Sequence, residues 1–71
     1  MRTRDEHLAW AKERAREYLD AGDLLNAVTS MGSDLDKHPE LGCNPYLLMA
    51  GAMDAQNGER EKVRLWIEGF R

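Results

Sequence analysis

Apolar residues recur at three- and four-residue steps along most of the chain, the spacing that places them on one face of an α-helix. This pattern predicts four helices, over residues 4–21, 23–37, 45–56 and 59–70. Polar and charged residues occupy the other faces of the first, second and fourth segments. The third differs because it is apolar nearly all round, and we therefore expect it to be the central and most buried helix.

The predicted helix ends carry their own signals. Thr3 and Glu6 have the spacing of a capping box, in which each side chain accepts a hydrogen bond from the backbone N–H of the other residue. Gly22 and Gly58 stand where a helix ends in a left-handed residue. The dipeptide Asn44-Pro45 supplies an N-cap and a proline at the first helical position. These signals predict two tight turns and one longer loop.

The elements predict an all-α fold, a single four-helix domain over residues 1–71 made of two α-hairpins. Aligning Gly22 with Gly58 superposes one hairpin on the other with a period of 36 residues. Residues 15–39 resemble the tetratricopeptide repeat, whereas the second copy has Asp54 where the first has Tyr18. A pair of ordinary α-hairpins explains the same spacing. Either arrangement leaves an apolar face that the hairpins must bury against each other or against a second chain.

Composition and charge exclude several classes of protein. The 71 residues are 42% hydrophobic, which supplies enough apolar surface for one small core. A chain of this length is too short for two cores. Ten Lys and Arg against thirteen Asp and Glu give a net charge of -3, so no overall basic field attracts nucleic acid or an anionic membrane. Cys43 is the only cysteine, and no apolar run approaches the length of a membrane span. We expect a soluble cytoplasmic protein without membrane association.

Short words spread along the chain occur together in one family. They are His7-Leu8-Ala9-Trp10, Gly22-Asp23, Ser33-Asp34-Leu35, Lys37-His38-Pro39-Glu40 and Ile67-Glu68-Gly69-Phe70. In these words the sequence resembles a family of small proteins encoded by tailed bacteriophages and prophages, over nearly the whole chain. The resemblance implies a short accessory gene product that works in the cytoplasm of the host bacterium. It brings no catalytic residue.

Residues that suit metal binding are few. His7, His38 and Cys43 have no spacing that would place two ligands on one metal. We expect His38 to cap the second helix and Cys43 to be a loop thiol. An acidic run lacks the glycine and the closing glutamate of a calcium loop, and we expect it to be a solvated helix end: Asp34, Asp36 and Glu40. We predict no metal site.

The sequence also carries no pattern typical of an enzyme. Ser30, Ser33 and Thr29 have no histidine nearby in the sequence, and a glycine-rich phosphate loop is absent. We therefore predict a protein with no catalytic residues and no cofactor.

Trp10 is the candidate functional residue, because it lies off the apolar stripe of the first helix. Arg14 and Glu17 fall on the same face, and Arg14 is placed to stack on the indole. Trp and Arg are enriched at interface hot spots, so these three residues form a candidate partner-binding face. The alternative is that another helix covers Trp10, which would make it a structural residue.

Assembly is a separate expectation. A chain of this size buries only about 60% of its unfolded surface, and the fourth helix ends in Trp66, Ile67 and Phe70. We predict a homodimer in which the third and fourth helices, and these three residues in particular, form the contact.

Three functions fit these observations. The first is a non-enzymatic phage accessory protein that binds and modulates a host protein. The second is a phage structural or assembly factor, including a scaffold-type module that grips a peptide. A binder of nucleotide or nucleic acid is the third, and the acidic charge balance disfavours it.

Overall fold

The computed structural model describes residues 2–71 and contains four α-helices in this range. α1 spans Arg4–Asp20, α2 spans Leu24–Asp36, α3 spans Pro45–Gln56 and α4 spans Arg60–Glu68. The all-α fold is confirmed, and every helix end lies within two residues of its predicted position. None of the helices in the described chain has the length and apolar character to cross a lipid bilayer.

Local hydrogen bonds fix the helix starts as predicted. The hydroxyl of Thr3 accepts from the N–H of Glu6 at 3.2 Å, and the Glu6 carboxylate accepts from the N–H of Thr3 at 2.9 Å. Asn44 Oδ1 accepts from the N–H of Tyr46 at 2.8 Å, and Pro45 is the first residue of α3. The capping box and the Asn-Pro start are confirmed.

The turns that follow α1 and α3 have the same geometry. After α1, the N–H groups of Gly22 and Asp23 bond back to carbonyls of the last helical turn at 3.0 and 2.9 Å. Gly22 has a φ of 80°, and the turn after α3 repeats the pattern around Gly58, with a φ of 70°. A side chain at either position would be strained, so both predicted left-handed glycines are confirmed.

α2, rather than α3, is the central helix. It packs against the other three helices, as α4 also does, but it contributes six buried residues, more than any other described helix. The prediction that α3 is the most buried helix is wrong, because Gly51 is the only buried residue of Pro45–Gln56. The core consists of nine buried apolar residues from α1, α2 and α4: Ala11, Ala15, Leu19, Ala27, Val28, Met31, Leu35, Val63 and Ile67.

Chain length explains why an all-round apolar helix stays partly exposed. Covering several faces of α3 needs several neighbouring elements, and within residues 2–71 it contacts only the helices α2 and α4. α4 also packs on α1, where Arg16 Nη2 lies 2.8 Å from Glu68 Oε1. The hairpins therefore cover each other's inner faces and leave the outer face of α3 in solvent.

Candidate protein-binding surfaces

Trp10 lies among cationic side chains where the start of α1 meets the end of α2. The indole is half-buried and packs against the core. The guanidinium carbon of Arg2 lies 4.2 Å from its ring centroid, and that of Arg14 lies 5.1 Å away. The ammonium nitrogen of Lys37 lies at 5.8 Å, so all three cations are within cation–π distance. We call these four residues the Trp10 cluster.

A buried carboxylate, that of Asp34, holds two of these cations in place. Asp34 is 1% exposed, and its two oxygens accept from Arg14 Nε at 2.7 Å and from Lys37 Nζ at 3.0 Å. Burial by itself raises the pKa of Asp34, but the hydrogen bonds from Lys37 and Arg14 outweigh burial and hold the pKa below its ordinary value. The expectation of a solvated helix end is wrong for Asp34, although Asp36 and Glu40 are exposed.

Two buried histidines join this cluster to the neighbouring backbone. His7 Nε2 donates to the carbonyl of Asp34 at 2.6 Å. His38 Nδ1 accepts from the N–H of Glu40 at 3.1 Å, and Nε2 donates to the carbonyl of Arg2 at 3.0 Å. His38 therefore anchors the segment that carries Arg2 and does not cap α2, which corrects the sequence interpretation.

The structure brings together two of the three residues predicted to form a partner-binding face. Trp10 and Arg14 make the expected cation–π contact, and Glu17 is exposed one turn further along α1. Sequence reasoning missed Arg2 and Lys37, because one precedes α1 and the other follows α2. Only the packing of α1 on α2 brings them to the indole. Binding of a partner by this face stays a prediction.

A shallow apolar groove runs between α3 and α4. It has a volume of about 250 Å³ and is lined by Leu47, Leu65, Trp66, Gly69 and Phe70, which we call the α3–α4 groove. The rings of Trp66 and Phe70 pack edge to face at 4.9 Å, and Trp66 Nε1 donates to the carbonyl of Leu47 at 2.9 Å. Small-molecule sites usually enclose about 300–1,000 Å³, so this groove suits one or two apolar side chains.

A glycine in α3 allows α4 to come this close. A Cβ atom at Gly51 would lie 2.7 Å from Cε2 of Trp66, so any other residue there would displace the indole.

The predicted oligomer interface needs a correction at one of its three residues. Trp66 and Phe70 line the groove, whereas Ile67 is fully buried in the core of its own chain and has no surface to offer. Successive helical residues point about 100° apart, so Ile67 faces inward when Trp66 faces the groove.

The outer side of α3 carries large apolar side chains in solvent. Tyr46 is 81% exposed, Met49 is 61% exposed and Met53 is 60% exposed. With Ala50, which is also exposed, they follow the three- and four-residue spacing of one helical face, and we call these four residues the α3 stripe. Their spacing is visible in the sequence, but the prediction that this face is buried is wrong.

The thiol of Cys43 and the metal-ligating residue types are the remaining candidates. Cys43 is half-buried, and burial together with the nearby charge of Asp36 raises the pKa of its thiol. A raised pKa keeps the thiol protonated and makes it a poor nucleophile. Within residues 2–71, no three His, Cys, Asp or Glu side chains are grouped so that they could hold a metal ion.

Comparisons of the chain with models of protein families, with curated proteins and with solved structures found no match. The resemblance to bacteriophage proteins therefore stays a prediction.

Proposed function

We propose that this protein acts by binding another protein chain, without catalysis, through the apolar surface of α3 and α4. The observation that carries the proposal is that five large apolar side chains of these two helices are about half or more exposed: Tyr46, Leu47, Met49, Met53 and Leu65. Leu47 and Leu65 face each other across the α3–α4 groove, and Leu47 borders the α3 stripe. Leu47 therefore joins the α3–α4 groove and the α3 stripe into one continuous surface.

The size of this surface argues for a partner. The exposed parts of the five side chains amount to on the order of 600 Å². The largest apolar patch on a typical monomer covers about 300–600 Å² and is often functional, so this area is large for 71 residues. α3 contributes little charge to this surface, since Asp54 is the only Asp, Glu, Lys or Arg in Pro45–Gln56. Central regions of protein interfaces are likewise poor in charged residues.

In biological terms, the proposal is a bacteriophage accessory protein that modulates a host protein in the host cytoplasm. The resemblance of the sequence to phage proteins and the uncharged apolar surface support it. The alternative is a phage assembly factor or peptide-binding scaffold, for which the α3–α4 groove would hold an apolar side chain of the bound segment.

The test compares two charged substitutions at exposed leucines. Leu65 lines the groove, whereas Leu25 is exposed on α2 outside this surface, so Leu25→Asp is a matched control for Leu65→Asp. Tagged chains are used to capture partners from infected bacteria, with quantitative mass spectrometry of the cross-linked products. We expect Leu65→Asp to reduce capture of the partner at least tenfold and Leu25→Asp to leave it unchanged. Equal capture by both variants and by the unchanged chain would contradict the proposal.

The Trp10 cluster is a second candidate surface, because three cations surround one indole there, with the buried carboxylate of Asp34 and the exposed carboxylate of Glu6 nearby. Such a surface suits an acidic segment of a partner. Arg2→Glu reverses one of these charges without touching Asp34, and Lys62→Glu on α4 is its control. If the cluster binds the partner, only Arg2→Glu reduces capture, and it does so more strongly at low salt.

A further inference from the structure

The α3 stripe is an exposed apolar face on the side of α3 that points away from the core. Leu48, Ala52 and Ala55 lie on the opposite side of α3 and pack against the core. α1 makes no contact with α3 in the described chain, and α4 reaches it only along the groove edge. No described segment covers the stripe, so it is open to contact with another chain.

We infer that a second copy of this protein covers the stripe, with the two α3 helices packed antiparallel about a two-fold axis between Met49 and Ala50. The inference rests on the proposed function, since it names the partner of one part of the proposed surface. The α3–α4 groove stays available for a different chain.

The order of residues along the stripe is self-complementary. Its ends, Tyr46 and Met53, lie at equal distances from the midpoint between Met49 and Ala50. Antiparallel pairing therefore places Tyr46 of each copy against Met53 of the other, and sulfur–aromatic contacts of this kind are favourable. At the centre the small side chain of Ala50 lets the helices approach closely, near the lower end of the usual 8–10 Å axis separation.

Charge and area both allow the pairing. The stripe has no charged residue, so a second copy brings no like charges together across it. In the antiparallel arrangement the positive end of each helix dipole lies beside the negative end of the other. A standard interface buries about 800 Å² per partner, of which about 60% is apolar. The stripe alone supplies a large part of that apolar area and leaves the groove residues free.

The first experiment measures mass by light scattering and sedimentation from low to high micromolar protein. We expect a dimer that dissociates on dilution, and Met49→Glu should weaken it at least tenfold. Leu25→Glu, at an exposed leucine of α2, should leave it unchanged, and circular dichroism checks that both variants are folded. A monomer at every concentration, or a dimer that Met49→Glu does not weaken, overturns the inference.

The second experiment tests the antiparallel arrangement by disulfide formation in a Cys43→Ser background. Ala50→Cys should cross-link with itself, since it lies beside the two-fold axis. Tyr46→Cys should form few homodimers alone and should cross-link efficiently when mixed with Met53→Cys. Self-cross-linking at Tyr46→Cys would indicate parallel helices and contradict the inference.

The two proposals fail separately. A monomeric chain whose partner capture is still lost in Leu65→Asp contradicts the dimer and supports the proposed function. A dimer blocked by Met49→Glu, with capture unaffected by Leu65→Asp, supports this inference and contradicts the binding of a different chain through the groove.

Discussion

α1 and α3, the first helices of the two hairpins, present opposite chemistry at equivalent positions. The 36-residue shift that superposes the hairpin turns relates Trp10 to Tyr46, and it relates Arg14 to Ala50. On α1 this face is half-buried and polar, because the chain itself surrounds the indole with cations tied to Asp34. On α3 the same face is apolar and exposed. The outer face of α1 is thus satisfied within the chain, whereas the outer face of α3 is exposed to solvent.

The second helices of the hairpins do not show this contrast. Ala27 and Met31 of α2 correspond to Val63 and Ile67 of α4, and all four are fully buried. Inner positions face a shared core in both hairpins, so the same apolar pattern has the same consequence. Outer positions of the two hairpins have different neighbouring segments, and the burial of equivalent residues differs at these positions.

The sharpest test of the contrast substitutes the equivalent aromatic residues. We expect Trp10→Ala to lower the free energy of unfolding by about 3 kcal/mol, because it removes a half-buried ring that contacts the core and three cations. Tyr46→Ala should change it by less than about 0.5 kcal/mol at concentrations where the chain is monomeric. Urea melts of both variants measure these free energies. Equal losses of unfolding free energy in the two variants would contradict the difference between the α1 and α3 faces. If Trp10→Ala lowers the unfolding free energy only slightly, Trp10 is a surface residue that is available to bind a partner.

Removing the charge of Asp34 tests what holds the α1 face together. We expect Asp34→Asn to cost about 2 kcal/mol at neutral pH, because Arg14 and Lys37 lose a charged acceptor yet regain water at their half-exposed ends. Folding lowers the pKa of Asp34, so its carboxylate stabilises the fold fully above the ordinary value of 3.8, and this contribution disappears as pH falls through the lower folded value.

The difference between the unchanged chain and Asp34→Asn should therefore shrink as the pH is lowered below 3.8. Thermal melts across this range measure it, with Asp36→Asn at an exposed neighbour as the control. A difference that stays constant down to strongly acidic pH would mean that the charge of Asp34 is not what stabilises the cluster.

A smaller effect is expected from exchanging the equivalent small residues Ala15 and Gly51. Ala15→Gly should cost about 1–2 kcal/mol through helix propensity and a lost buried methyl group. Gly51→Ala gains helix propensity, but its methyl group would displace Trp66, and we expect a net loss of about 1 kcal/mol. Fluorescence of Trp66 in a Trp10→Phe background should shift as the indole moves. A stabilised Gly51→Ala chain with unchanged fluorescence would show that α4 does not approach α3 this closely.

The smallest effects on folding belong to the exposed pair Glu17 and Met53. Each substitution to Ala should alter the unfolding free energy of the monomer by less than about 0.5 kcal/mol, since neither side chain is buried. Sedimentation should nevertheless separate them, because Met53→Ala weakens self-association and Glu17→Ala does not. If both variants associate alike, the outer faces of α1 and α3 are functionally equivalent.

Local structure in this protein follows from short-range sequence patterns. The capping box of Thr3 and Glu6, the Asn44-Pro45 start and the turn glycines Gly22 and Gly58 depend on residues a few positions apart, so local rules found them. Helical periodicity likewise identified the inward faces of α1, α2 and α4. The cation–π pair of Trp10 and Arg14 was predictable because the two residues lie one helical turn apart.

Which helix faces are covered depends on how the helices pack. An apolar residue has the same pattern whether it enters the core or awaits a partner, so the sequence could not tell Ile67 from Met53. The burial of Asp34 follows from cations carried by other segments, which reach it only when α1 packs on α2. α2 became the central helix because burial depends on how many neighbours a short chain can place around each element, and that number is a property of the assembled fold.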